Sequence, residues 1–379
     1  MTVLTEKWDA VLKSEKAPEI KDQYRAKVTA QLLENQEKFL AEAGNPVMTP
    51  NVATWDPVII SLVRRLAPVL IAYDVCGVQP MTTPSGLAFA LRAKYNDAAG
   101  AEALFQQVDK THAGTAEGTG IPLPDSETQT LKSMSMVIEK VPVIAKTRQL
   151  RADYSIELAQ DMKALHGLDA EQELSRILAQ EITAEINREV VDTIYSAAKQ
   201  GAQFASTPGE FDLTADADGR WSVERFKGLM FAIERDANAI AYDTRRGKGN
   251  LILCSADIAS ALVLAGVLDY APALEANVSM EVDTTGVAFA GNMGRFKVFV
   301  DPLLNSDQYV VGYKGANQYD AGLFYCPYVP LQILHATDTE TFHPALGFKT
   351  RYGLVANPFT TLNAGENTYY RKATVKNLL

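Results

Sequence analysis

The 379-residue sequence predicts an α+β fold, and three patterns in it carry that reading. Apolar residues recur every four positions at Leu174, Leu178, Ile182, Ile186, Val190 and Ile194, the period of one long helix. Two extended segments, beginning at Gly86 and near Met136, are separated by a loop-like stretch, as the arms of a hairpin would be. Beyond Ser222, helical and strand patterns alternate, which describes a mixed α/β unit.

In chain order, residues 1–42 carry 15 charged side chains, while Tyr24, Val28, Leu32 and Phe39 trace a narrow apolar stripe. This is an amphipathic helix that needs a partner. Pro46, Pro50 and Pro57, with Gly44, Asn45 and Asn51 among them, break any helix and read as an exposed linker. Residues 58–75 are apolar but interrupted by Arg64, Arg65 and Pro68, a pattern open between a helix and an arm lying on a neighbouring surface. Leu87, Phe89, Leu91, Ala93 and Tyr95 then alternate with Arg92 and Lys94, as a half-exposed strand requires. A second extended segment covers 136–150. Residues 96–135 between the two are rich in Ala, Gly, Thr, Pro and Asp, so the three pieces predict a long hairpin with a loose tip.

Asp169 and Gln172 have the form of a capping box. They open a helix over 169–199, roughly 45 Å long at ~1.5 Å per residue and long enough to serve as a spine. After the Gly, Pro and Asp-rich stretch 201–219, a helix starts near Ser222, with Phe226, Leu229, Met230, Ile233 and Ile240 on one face. A buried strand at 251–254, a helix capped by Ser255, and strands near 296–300, 309–313, 322–328 and 331–334 complete the pattern. Eight of the 15 tyrosines lie from Tyr309 onward. Tyrosine is favoured where a ring is buried with its hydroxyl near water, as at subunit contacts.

Composition narrows the function. With 47% hydrophobic and 22% charged residues the chain is a folded one. Its net charge of −10 leaves no surplus of cations for neutralising phosphates along a duplex. Apolar runs stay short of the ~20 residues that span a bilayer, and the first residues lack a signal-peptide core, so a soluble, cytosolic product with no membrane partner is expected. Cys76, Cys254 and Cys326 form no C-x-x-C pair and read as buried thiols in a reducing compartment.

Catalytic patterns are sparse. His112, His166, His335 and His343 stand in no zinc-binding frame, no G-x-S-x-G elbow occurs, and Cys254 has no histidine nearby in sequence. The glycines of GTAEGTG (114–120) and RRGKGN (245–250) do not fit a phosphate-binding loop and read as flexible loops. Glu181, Glu185, Glu189 and Asp192 read as a solvated stripe on the long helix, and Arg245, Arg246 and Lys248 as makers of inter-subunit salt bridges or of none. No catalytic residue, metal or cofactor is expected. The classes left open are a structural assembly protein, a hydrolase built from scattered residues, and a scaffold or binding module.

Several stretches carry a specific resemblance. CGVQPMTTPSGLAFALRAKY (76–95), TRQLRADYSIELAQDMKALHGLDAEQELSRILAQEITAEINREVVD (147–192), VVGYKG (310–315), DAGLFYCPYVPL (320–331) and GFKTRYGL (347–354) closely resemble the major capsid proteins of T4-like tailed phages. PEI at 18–20, ENQEK at 34–38 and FLAEA at 39–43 resemble that family's propeptide. The resemblance implies an HK97-like capsid fold. It has a propeptide at 1–42, an N-arm at 43–75, an E-loop hairpin at 76–150, a P-domain at 151–221 with its spine at 169–199, an A-domain at 222–340, and a P-domain return at 341–379. The insert at 96–135 stands where T4 carries a large inserted domain.

The function so implied is that of the major structural subunit of an icosahedral phage head, made in the host cytoplasm and resident in the virion. It would assemble as hexameric capsomers into a prohead that is matured by proteolysis and filled with double-stranded DNA, bound without sequence specificity. Implied partners are further copies of the chain, vertex, portal and scaffold proteins, a prohead protease, decoration proteins and a chaperonin. A vertex paralogue forming pentamers is the nearest alternative. The family's protease recognises Leu or Ile two residues before a glutamate. Leu40, Ala41 and Glu42 fit, with cleavage leaving Ala43 first; Leu32, Leu33 and Glu34 fit too, but Glu34 lies inside the predicted helix. Before cleavage, Tyr24, Val28 and Leu32 would hold the subunit against the internal scaffold.

Overall fold

Burial of one face of a long helix organises the molecule. The computed structural model describes residues 7–8, 20, 22–42, 70–97, 99–103, 109, 111–113, 121, 132–167, 169–217, 219, 221–266, 269–270, 288–304, 306–337 and 343–378. The predicted linker after residue 42, the arm up to residue 69, Ala43 and the GTAEGTG glycines lie outside the described residues.

Six helices enter the account: α1 (Gln23–Glu42), α2 (Ala72–Val75), α3 (Ile156–His166), α4 (Ala170–Ala197), α5 (Ser222–Thr244) and α6 (Ala256–Leu264). The predicted spine is α4. Asp169 caps it by accepting from the Glu171 amide at 3.1 Å, so the cap forms without Gln172. Its residues Leu178, Ile182, Ile186, Val190 and Ile194 are buried, as their spacing requires.

They pack in one core with Tyr325, Leu331, Leu346, Phe348 and Tyr352 of a four-stranded sheet. That sheet has the order β1 (Gly77–Val78), β13 (Leu323–Thr337), β14 (Pro344–Ala356) and β5 (Lys146–Asp153). The two strands expected at 322–328 and 331–334 are the single strand β13. Its register with β14 shifts between Pro327 and Val329 and again between Val329 and Gln332. Pro327 and Pro330 lack amide protons, so the strand continues through this stretch by bulging.

A second sheet has the order β6 (Ala198–Gln200), β15 (Asn367–Lys376), β12 (Gln308–Gly312), β8 (Leu251–Ser255), β11 (Phe296–Asp301), β10 (Ala288–Met293) and β9 (Asp269–Tyr270), with β7 (Glu210–Asp212) pairing β15. β8 lies between an antiparallel and a parallel neighbour and is buried throughout. Helices α5 and α6 bury Phe226, Leu229, Ile233, Ile240 and Ile258 against it, and Ser255 caps α6 at the Ile258 amide.

The predicted hairpin is formed by β2 (Ser85–Tyr95) and β4 (Met134–Ile144), paired from Ser85 with Ile144 to Tyr95 with Met134. A short β3 (Glu102–Ala103) pairs with β2 at its far end. The second extended segment, expected as one piece, is interrupted at Ala145. There it leaves the hairpin as β4 and joins the four-stranded sheet as β5. Among the described residues no helix is long and apolar enough to cross a membrane.

Candidate assembly surface and cleavage segment

Antiparallel partners share a face of the ribbon, so the hairpin has two unlike sides. Ala88 and Ala90 are buried against the body, small enough for β2 to lie close. Leu87, Phe89 and Leu91 point the other way, beside the β4 residues Met134, Met136, Ile138 and Ile144, and all seven are exposed, Met136 to 76%. Paired strands with an uncovered apolar face are marginal in isolation. This side of the hairpin needs a surface that the chain itself does not provide among its described residues.

Polar contacts fix how the hairpin leaves the body. The Gln79 side chain donates to the Phe89 carbonyl and accepts from the Phe89 amide, both at 3.0 Å. Arg246 donates to the Leu91 carbonyl at 3.2 Å and pairs with Glu102 at 3.3 Å and Asp320 at 3.4 Å. Its side chain is 7% exposed. Arg92 also pairs with Glu102, at 3.2 Å, and the Arg92 and Arg246 guanidinium groups lie 4.0 and 4.7 Å from the Phe359 ring centre.

This corrects the reading of the RRGKGN loop. Arg246 pairs within its own chain, and Lys248 pairs with Glu234. Arg245 ends α5 in a left-handed conformation, φ 56°, which reverses the chain and brings Arg246 back to the hairpin. The loop is packed as well: Gly247 and Gly249 lie so close to Tyr313 and Val311 that a side chain there would collide. The acidic stripe of α4 is likewise more than a solvated face. Arg148 of β5 joins Glu185 at 2.8 Å and Glu189 at 2.7 Å, and the Tyr352 hydroxyl donates to Glu189.

The described part of the α1 stripe packs on the chain itself and not where the sequence reading put it. Val28 and Leu32 lie in the chain's own main core, with Tyr24 packed at its margin, so these side chains are not free to grip a scaffold. Trp8 packs on the helix against Ala30 and Leu33. Helix α1 continues past Phe39 through Leu40 to Glu42. Glu34 lies in mid-helix and pairs with Lys7 at 3.0 Å.

No catalytic grouping emerges among the described residues. Cys254 is fully buried, and burial followed by the nearby Asp301 charge pushes its thiol up to about 12, far from a thiolate nucleophile at neutral pH. Burial likewise pushes Cys76 and Cys326 up to about 12, and all three cysteines are free. The histidines are dispersed: His112 lies tilted against Tyr95 with ring centres 4.4 Å apart, and His335 lies 3.3 Å from Glu171. No group of three His, Cys, Asp or Glu among the described residues is placed to hold a metal.

The model of the major capsid protein Gp23 family matches residues 52–122 and 109–375. The chain belongs to that family. A major capsid protein of Salmonella phage ViI is 38% identical, with 93% of this chain and 92% of the relative aligned. That of Enterobacteria phage T4 is 34% identical over 99% and 98% of the two chains. The capsid vertex protein of the same phage is 25% identical over 59% of this chain and 53% of its own. Among solved structures, the capsid of Myoviridae phage XM1 aligns over 79% of this chain and 89% of its own, at 12% identity and a TM-score of 0.41.

The chain is thus a structural subunit of a T4-like phage head, a component of the virion. The alignment with the T4 relative spans 516 positions against 379 residues here, so more than a hundred of its positions face no residue of this chain. The two matched pieces of the family model meet at 109–122, between β2 and β4. That is where the sequence places its shortened insert.

Proposed function

We propose that this subunit builds hexameric capsomers, and that the hairpin of β2 and β4 is the arm by which each copy grips the next. The carrying observation is the outward face of Leu87, Phe89, Leu91, Met134, Met136 and Ile138. These side chains are 38–76% exposed, so covering each by a neighbour contributes part of the roughly 1.5–3 kcal/mol that full burial of such a side chain brings. In this reading residues 1–42 are a propeptide, 43–75 an N-arm, 76–150 the E-loop, 151–221 and 341–379 the P-domain and 222–340 the A-domain. Prohead protease, scaffold, portal and vertex proteins are the partners during assembly, with decoration proteins and a chaperonin as further ones. The full-length coverage of the major capsid relatives, set against the partial match to the vertex protein, supports the hexamer role over a pentameric one.

The test is a variant lacking residues 86–145, examined by negative-stain microscopy beside the intact chain. The intact chain is expected to form rings, tubes or shells, and the variant to remain as unassembled subunits whose circular dichroism still shows α4 and the second sheet. Normal shells from the variant would overturn the reading.

A further inference from the structure

Among the described residues, helix α1 meets the body of the chain along one line, and its polar contacts there fall on two neighbouring segments. One is the root of the hairpin, residues 73–81; the other is the bulged stretch of β13. The Tyr24 hydroxyl donates to the Val78 carbonyl, and Arg25 pairs with Asp74 at 2.6 Å. About three turns of helix further on, the Asn35 amide donates to the Met81 carbonyl at 2.7 Å and to the Tyr328 carbonyl at 3.0 Å. Gln332 donates to Gln36 at 2.6 Å. Asn35 and Gln36 are buried.

These contacts are placed where the body is short of partners. Tyr328 falls in the register shift between Pro327 and Val329, so β14 offers it no opposite residue, and Asn35 supplies its donor. The root is an edge segment. Its Gln79 and Met81 amides donate inward, to the carbonyls of Tyr325 at 3.0 Å and Pro327 at 2.9 Å, while the Val78 and Met81 carbonyls turn to α1. Through the paired bonds between the Gln79 side chain and the Phe89 backbone, the root and the hairpin are tied into one piece.

We propose that α1 is a clamp that sets the pose of the hairpin by holding its root against β13. While α1 is seated, the three carbonyls of Val78, Met81 and Tyr328 are satisfied and the root is fixed. When α1 leaves, these carbonyls lose their donors, and the root is released to a pose in which water or another donor reaches them. The motion then passes through Gln79 to β2. The clamp goes beyond the assembly reading above; it rests on the propeptide assignment for its timing, not for its existence.

The experiment is amide hydrogen exchange on the full-length, unassembled subunit, which separates the clamp from any effect on assembly. Asn35→Leu puts a better helix former in place and removes the donor to both carbonyls. Exchange of the Gln79, Met81 and Phe89 amides is expected to accelerate roughly tenfold, with the β8 amides unchanged. Arg25→Ala, at the other end of the contact line, is expected to give a smaller acceleration at the same amides, and it carries the test should Asn35→Leu fail to fold. Unchanged exchange at the root, or equal acceleration at the root and in β8, would overturn the proposal.

Discussion

Asp236 shows how much one buried group decides locally. Its carboxylate accepts from the Tyr309 hydroxyl at 2.9 Å and from the Ala202 amide at 2.9 and 3.1 Å, pinning the turn after β6 to α5 and β12. Burial pushes its pKa above the ordinary carboxylate value, and the two donors, with Arg371 and Arg235, only partly offset that. Because the folded-state pKa is the higher one, the folded chain holds this proton more tightly than the unfolded chain. The contribution of Asp236 therefore stands in full below the unfolded value near 3.8 and declines as pH rises through the raised folded value. Asp236→Asn removes that dependence, so its stability relative to the parent is expected to rise between pH 4 and about pH 7. Asp236→Ala is expected to cost about 2–3 kcal/mol at pH 7, since two buried donors lose their acceptor. Denaturant unfolding of the soluble variants at both pH values checks each sign. Equal pH slopes in parent and Asn variant would remove the assignment.

At the scale of elements, the hairpin is stable in its observed pose because a loop from a distant part of the chain closes on it. Arg246 is the group that does so. With its guanidinium nearly enclosed by Glu102, Asp320, the Leu91 carbonyl and the Phe359 ring, truncation takes the cation from Asp320 and leaves Glu102 with Arg92 alone. Arg246→Ala is expected to lower stability by about 3 kcal/mol, as for a broken buried pair, and Arg246→Lys by less. Arg245→Ala, with its neighbour's contacts intact, serves as the comparison, and thermal unfolding of the three variants orders them. Loss of the same size in all three would mean that the loop backbone, not the Arg246 bracket, holds the hairpin.

These elements also mark what the sequence makes legible. Periodicity locates α4 and α5 because each buries one regular face, β8 because its short apolar run is buried throughout, and the hairpin because one of its faces is regularly apolar, though uncovered in the single chain. It does not reach contacts such as Arg246 with Glu102, whose partners lie 144 residues apart and share no pattern. Nor does it reveal that β13 passes Pro330 unbroken, because a bulge depends on the strand alongside. The stripe of α1 was visible, but not the surface it covers: a stripe says that a partner is needed, and only packing identifies it as the chain itself.

For the whole molecule, a shell that encloses DNA is best made from a subunit that does not bind it. Residues 43–379 carry 29 basic and 38 acidic side chains, a net charge of −9, so removing the proposed propeptide leaves the balance acidic. Where that removal occurs follows from the helix. Both Leu32-Leu33-Glu34 and Leu40-Ala41-Glu42 carry the cleavage pattern implied by the family, and both are helical in the intact chain. They differ in what must open. At Glu34 the neighbouring Asn35 and Gln36 are bonded to the body and Glu34 itself holds Lys7, so presenting this bond to a protease means lifting the clamp. Glu42 is the last residue of the helix, and the last carbonyls of any helix have no intrahelical donor, so this end opens at a lower cost than its middle. Cleavage is therefore expected after Glu42, giving a mature chain that begins at Ala43. Intact mass and N-terminal sequencing of the subunit from mature heads read this directly, and a chain beginning at Met1 or Asn35 would exclude it. The cut itself breaks none of the contacts of α1. It turns a tethered helix into a separate ligand, which loses its effective concentration of order millimolar and becomes free to leave. A cut placed beyond the clamp would thus let α1 hold the hairpin until the tether is severed, and would make its departure, once diluted, irreversible.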